Sequence, residues 1–247
     1  MDYKQVLKKA GAVLIALAFW QLAAMLIHQR ILLVSPIQVL LRLTTIWQTE
    51  GFFMSICFTF YHIVAGYFLG VGFGILLAVL ADRWSWIETL LWPWVITVKT
   101  VPVASFVVIC LIWLSAKNLS SFISFLIVFP IIYQNMLTGL RTRDPKLTEM
   151  AAVFRVHGLR RLTMITLPQI RSYLVTACSI TAGMAWKAGV AAEIIGTPNG
   201  SIGKMLYTSK IYLDTDDLLA WTVIIVILSV GFEKLFVWLL KKLLRNS

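Results

Sequence analysis

Long apolar runs constrain this chain more than any other feature. A helix that crosses a bilayer needs about 20 mostly apolar residues, and six stretches qualify: 11–31, 52–80, 87–114, 119–140, 166–195 and 218–244. The expectation is an all-α fold, a polytopic membrane bundle of about six transmembrane helices. Hydrophobic residues make up 60% of the 247 and charged residues 13%, against roughly 25% charged in an ordinary soluble domain. That leaves no room for a separate soluble domain. The organisation reads as residues 1–51, holding an N-terminal segment, a first span and an external loop, followed by one membrane domain over 52–245.

The first apolar run follows Lys4, Lys8 and Lys9, as a signal peptide would, but it continues without a small-x-small cleavage pattern and reads as a retained span. A net charge of +11 would suggest nucleic acid as a partner for a soluble chain. Here it is assigned instead to the inner face of a membrane, where Lys and Arg collect. With the N-terminus inside, 14 basic residues fall on inner segments and 5 on outer ones, with Lys99, Lys187 and Lys234 in or beside spans. Both termini are therefore expected in the cytoplasm of a cell with a bacterial-type inner membrane, the bilayer being one partner and nucleic acid none. Cys57, Cys110 and Cys178 lie in apolar runs, and His28, His62 and His157 have no ligand spacing, so no metal site is expected. Gly66, Gly70 and Gly74 form two overlapping small-xxx-small patterns, which suit close helix packing within the bundle or a dimer seam.

The most informative polar stretch runs from Arg141 to Pro168. Asp144 can cap a helix that Pro145 begins, and Leu147, Met150, Ala151 and Phe154 recur on one helical face. Gly158 is a stop, and Pro168 marks the entry to the next span. Periodicity alone describes a short amphipathic helix on the cytoplasmic side, which an ordinary basic loop could also supply.

Glu149-x-Ala151 followed by Ile165-x-Leu167-Pro168 resembles the EAA loop of permease subunits of ATP-binding-cassette importers. Lys99-Thr-Val-Pro102-Val-Ala104, Ala185-Trp186, Val190-Ala-Ala-Glu193 and Ser201-Ile-Gly203 resemble other segments of that family, in the branch for nitrate, sulfonates, taurine and thiamine precursors. The resemblance covers roughly residues 55–240 and makes 52–245 the type I permease domain. It departs at one place. The glycine expected six residues after Glu149 is Arg155, and the nearest glycine is Gly158.

The resemblance implies a coupling helix around Glu149, Met150, Ala151, Ala152, Arg155 and Gly158 that docks on a separate ATP-binding subunit. It also implies two such subunits, a second permease copy forming a homodimer, and an extracytoplasmic substrate-binding protein. ATP and Mg would belong to the partner ATPase. This chain has no G-x-x-x-x-G-K-[ST] loop, so no cofactor and no enzymatic activity are expected on it. The expected function is import of a small polar solute. A stand-alone secondary transporter or channel is the competing reading, one that explains membrane charges without an ATPase.

Lys99, Lys187 and Glu193 fall at membrane depth, where charge is costly and marks a pathway or a buried pair. Lys187 and Glu193 are six positions apart, about 240° around a helix, and cannot pair on one face. Two readings stand. The three residues line a translocation path whose lysines attract an anion, or Glu193 pairs with another helix, for example through Lys99.

Overall fold

The computed structural model describes residues 3–27, 33–156 and 158–245, and every regular element among them is helical. In chain order these are α1 (Tyr3–Ile27), α2 (Pro36–Thr45), α3 (Phe52–Arg83), α4 (Ser85–Thr100), α5 (Val103–Cys110), α6 (Ala116–Arg141), α7 (Pro145–Val153), α8 (Gly158–Arg161), α9 (Leu167–Gly196), α10 (Ile202–Ile211) and α11 (Thr215–Arg245). Short 3₁₀ and π segments occupy Ile46–Gln48 and Leu162–Thr166.

Among the described residues, four helices are long and apolar enough to span: Phe52–Arg83, Ala116–Arg141, Leu162–Gly196 and Thr215–Leu244. The pair Ser85–Thr100 and Val103–Cys110 makes a fifth if counted as one broken span. Among the described residues the count is thus four or five: the apolar part of α1, Gly11–Ile27, falls short, and residues 28–31 of the first expected span lie outside the described residues. The third expected span is also not straight. Pro102 disfavours helical geometry in the residue before it, Val101 is extended, and the chain turns by 105° between α4 and α5.

α3, α6 and α9 form the centre. A Cβ added at Gly66 would sit 2.1 Å from the Ser121 carbonyl oxygen, and at Gly70 and Gly74 it would lie 2.7 and 2.9 Å from Val128 and Ile132. The small-residue row therefore seats α3 against α6 of its own chain, and it is not the dimer seam. On the next face, Gly189 of α9 meets Ile63 and Ser124. Tyr67, Val128, Ile132, Ala177, Ala182, Ala185 and Trp186 fill the core between these helices.

The segment expected as an external loop contains α2. Ser35 Oγ accepts from Gln38 N at 3.3 Å while Ser35 N donates to Gln38 Oε1 at 3.2 Å, and Pro36 opens the helix. This is a capping box, legible as Ser35-Pro-x-Gln38. An Arg42–Asp217 ion pair ties α2 to the start of α11.

Candidate functional site

The residues singled out by sequence fall in three places: on α7, on the face of α4, α6 and α9 that carries Lys99 and Lys187, and where α9 meets α3 and α10.

α7 lies at the end of the bundle where α6 and α3 finish. Asp144 Oδ1 accepts from Lys146 N at 2.8 Å, which caps the helix start as its sequence suggests. At the other end, Val156 N donates to the Ala151 carbonyl at 2.8 Å and Arg155 is left-handed, with φ of 51°. That is the six-to-one closure of a Schellman turn. Arg155 thus takes the conformation a glycine would favour, and the turn is not shifted to Gly158, which is itself left-handed at φ 60°. An L-residue there costs about 1 kcal/mol. Arg155→Gly is expected to keep the turn and stabilise it locally, slowing hydrogen exchange of the Val156 amide by about fivefold. Exchange that is unchanged or faster would contradict the strain.

The faces of α7 divide sharply. Ala151 is 1% exposed, turned toward its own chain, where α7 meets the Leu162–Thr166 segment. Met150, Val153 and Phe154 are exposed, as is Glu149. The side chain of Ala152 lies outside the described residues, as do His28 and His157. His62 is packed in α3, with Nδ1 2.9 Å from the Phe58 carbonyl oxygen.

Lys99 closes α4 one residue before the bend region and donates to Gln134 Oε1 of α6 at 2.5 Å. It shares a cavity of about 200 Å³ with Val98, Val101, Val103, Ile127, Pro130, Ile131 and Met184. Met184 and Lys187 lie on one exposed stripe of α9, a turn apart. The structure therefore brings both lysines to one face. Among the described residues the ion pairs are Arg42–Asp217, Arg141–Glu88 and Arg143–Asp82, so neither lysine has a carboxylate partner.

Glu193 is not on that face. It is fully buried, and Oε2 accepts from Thr59 Oγ1 at 2.7 Å and from Gly203 N at 3.2 Å. Thr59 Oγ1 in turn accepts from Ile202 N at 2.9 Å, and Ser201 Oγ accepts from Lys204 N at 3.0 Å. Each of these amides would otherwise be an orphan donor at the start of α10. A carboxylate there also complements the positive end of the helix. Glu193 is thus a remote cap that binds α9, α3 and α10 together, and it pairs with no lysine. The contact is close enough that a Cβ on Gly203 would lie 2.2 Å from Glu193 Cβ. Thr197, left-handed at φ 44°, turns the chain back to allow it.

A family described as the inner membrane component of binding-protein-dependent transport systems matches residues 70–245, most of the chain and all of the elements just described except α1, α2 and the start of α3. The chain belongs to this family. Curated relatives agree in kind. A candidate aliphatic sulfonates transport permease of Bacillus subtilis is 24% identical over 94% of this chain and 86% of its own length. The taurine transport system permease protein of Escherichia coli is 24% identical over 93% and 86%. A formylaminopyrimidine transport permease protein of Halalkalibacterium halodurans is 25% identical over 79% and 78%. Permease membership displaces the stand-alone secondary transporter or channel.

Sequence reasoning missed two features of this permease. One is the Thr59 and Gly203 partnership of Glu193, whose members are 134 and 10 residues away. The other is a set of ion pairs at the root of α7, Arg141–Glu88 and Arg143–Asp82. The only signal for the second was the presence of an acid at the end of α3, Asp82, and another in the first turn of α4, Glu88, on the side where basic residues collect.

Proposed function

We propose that this permease is the membrane subunit of an ATP-driven importer of a small organic anion, and that two copies frame one path. Two ATP-binding-cassette subunits, carrying ATP and Mg, dock on α7, and this chain holds no cofactor of its own. An extracytoplasmic binding protein delivers the solute at the opposite end. There a second cavity of about 440 Å³ opens among Met54, Phe58, Ala116, Lys117, Thr197, Pro198 and Asn199. The basic asymmetry supports placing α7 and both termini in the cytoplasm, with 52–245 as the permease domain.

The observation that carries this reading is the pair of lysines. Lys187 lies about 30 Å along α9 from Leu167, exposed on the isolated subunit and in no ion pair among the described residues. An ammonium within a span is costly to leave facing lipid. A second copy and a polar path between the copies satisfy it, and a passing anion supplies the counter-charge. The apolar wall around Lys99 favours an anion with a hydrocarbon body. That agrees with the sulfonate named for the Bacillus relative more than with a bare inorganic ion.

The test is uptake of a short alkyl sulfonate by vesicles holding the permease with its ATPase and binding protein. A hydrogen bond to a charged group contributes about 1.5–3 kcal/mol. Lys99→Met and Lys187→Met are each therefore expected to lower uptake by at least about tenfold with assembly intact. Full uptake in both variants would overturn the anion path.

A further inference from the structure

We infer that residues 141–144 form a transmission elbow, in which two ion pairs carry displacement of α7 to α3 and to the broken helix α4–α5. This rests on the reading that an ATPase subunit docks on α7.

Four consecutive residues, Arg141 at the end of α6 and Thr142, Arg143 and Asp144 between it and α7, reach three other helices of the bundle. Arg141 donates from Nη1 and Nη2 to Glu88 Oε1 and Oε2 of α4, at 2.9 and 2.5 Å. Thr142 Oγ1 donates to the Tyr173 hydroxyl of α9 at 3.1 Å. Arg143 Nη2 donates to Asp82 Oδ2 of α3 at 2.5 Å, while its Nε holds the Leu140 carbonyl. Asp144 N donates to Gln169 Oε1 of α9 at 2.7 Å. α7 does not need these bonds to exist, since the Asp144 carboxylate already caps it.

The geometry beyond the elbow gives the bonds an output. α4 is held to α6 by polar contacts near both ends, Glu88–Arg141 at one and Lys99–Gln134 at the other. The two lie eleven residues apart, about 16 Å along the helix. A fork-to-fork arginine–carboxylate contact fixes orientation as well as distance. Movement at Arg141 therefore moves Glu88, and α4 carries that movement as a rod to Lys99 and its cavity. Arg143 does the same for the end of α3, whose body is locked to α6 by the glycine row. Both pairs are partly open to solvent, with side-chain exposures of 47% and 36% for Arg141 and Glu88 and 26% and 24% for Arg143 and Asp82. Ion pairs in that setting stabilise a fold little. What they supply here is direction. Asp82, Glu88, Arg141 and Arg143 are positioning residues.

The experiment uses the whole complex in vesicles, reading retained ATPase subunits, hydrolysis, and alkyl sulfonate imported per ATP. Glu88→Gln and Asp82→Asn are expected to keep the ATPase bound and hydrolysing while import per ATP falls by at least about fivefold, the lower range of coupling between sites. The exchange Glu88→Arg with Arg141→Glu is expected to return the ratio to within about twofold of the original. An unchanged ratio in both neutralised variants overturns the elbow, and so does an exchange that assembles without restoring it. Loss of the ATPase from Glu88→Gln would make the pair a structural brace and overturn it too. If the unaltered permease retains no ATPase subunit, the docking reading fails and takes this inference with it. Retention with unchanged ratios removes this inference alone.

Discussion

Gly66→Ala is expected to cut the yield of folded permease severalfold, while Gly72→Ala on the same helix leaves it unchanged or raises it. Alanine is the better helix former by about 1 kcal/mol, so both substitutions begin with the same local gain. At Gly72 nothing lies within 4 Å of the added Cβ, and the gain stands. At Gly66 the Cβ would be 2.1 Å from the Ser121 carbonyl oxygen, 2.9 Å from its carbon and 3.0 Å from its Cα. Those are backbone atoms of α6, which cannot swing aside as a side chain can. The helices must separate, and that also loosens the fit of Gly70 and Gly74 on Val128 and Ile132. Overpacking typically costs about 1–3 kcal/mol, and a backbone clash in the central interface belongs at the upper end. Thermal unfolding in detergent, scored by monodisperse recovery, reads the difference. Equal stability of the two variants would show that α3 and α6 do not meet here.

The same glycines show what sequence could and could not supply. Their spacing announces a close helix contact, but spacing does not say whether the neighbour is α6 or a second copy. Prolines behave likewise. Pro93 and Pro102 both interrupt an apolar run, yet Pro93 is accommodated inside α4 while Pro102 ends it with a 105° turn. Both prolines restrict the residue before them in the same way, so a single position does not record which of the two ends the helix. Glu193 stood out by the cost of its charge, and the structure supplies partners for one of its oxygens, the Gly203 amide at the start of α10 and the Thr59 hydroxyl, while Oε1 is buried without one among the described residues. Lys99 and Lys187 stood out by the same cost, and among the described residues neither has a carboxylate partner, which is what the proposed path would explain. The segment proposed for coupling was legible as a helix with a defined start and stop. Its inward face was not, since a small residue permits close approach by any neighbour, and at Ala151 the neighbour is the chain itself.

That division of faces changes which substitution should uncouple transport. Met150 and Val153 of α7 and Phe154 just past its end, whose N donates to the Met150 carbonyl, stand at i, i+3 and i+4, the spacing by which a helix offers one side to a groove. They are 47%, 80% and 72% exposed. α7 is too short to span a bilayer, and an exposed apolar side of this kind marks an interaction surface, which the proposed ATPase subunit would cover. Phe154→Asp is expected to release that subunit while the permease still inserts and unfolds at its usual temperature. Removing a buried aromatic anchor commonly costs about 2–4 kcal/mol, so retention should weaken by roughly 30-fold to several hundredfold. Tyr212→Asp is the matched control, an aromatic 78% exposed at the opposite end of the bundle, and it should retain the ATPase fully. Ala151→Trp is expected to differ from both, because Ala151 is buried within its own chain and bulk there lowers the permease's own stability before any partner binds. Undiminished ATPase retention by Phe154→Asp would show that this side of α7 is not the docking surface.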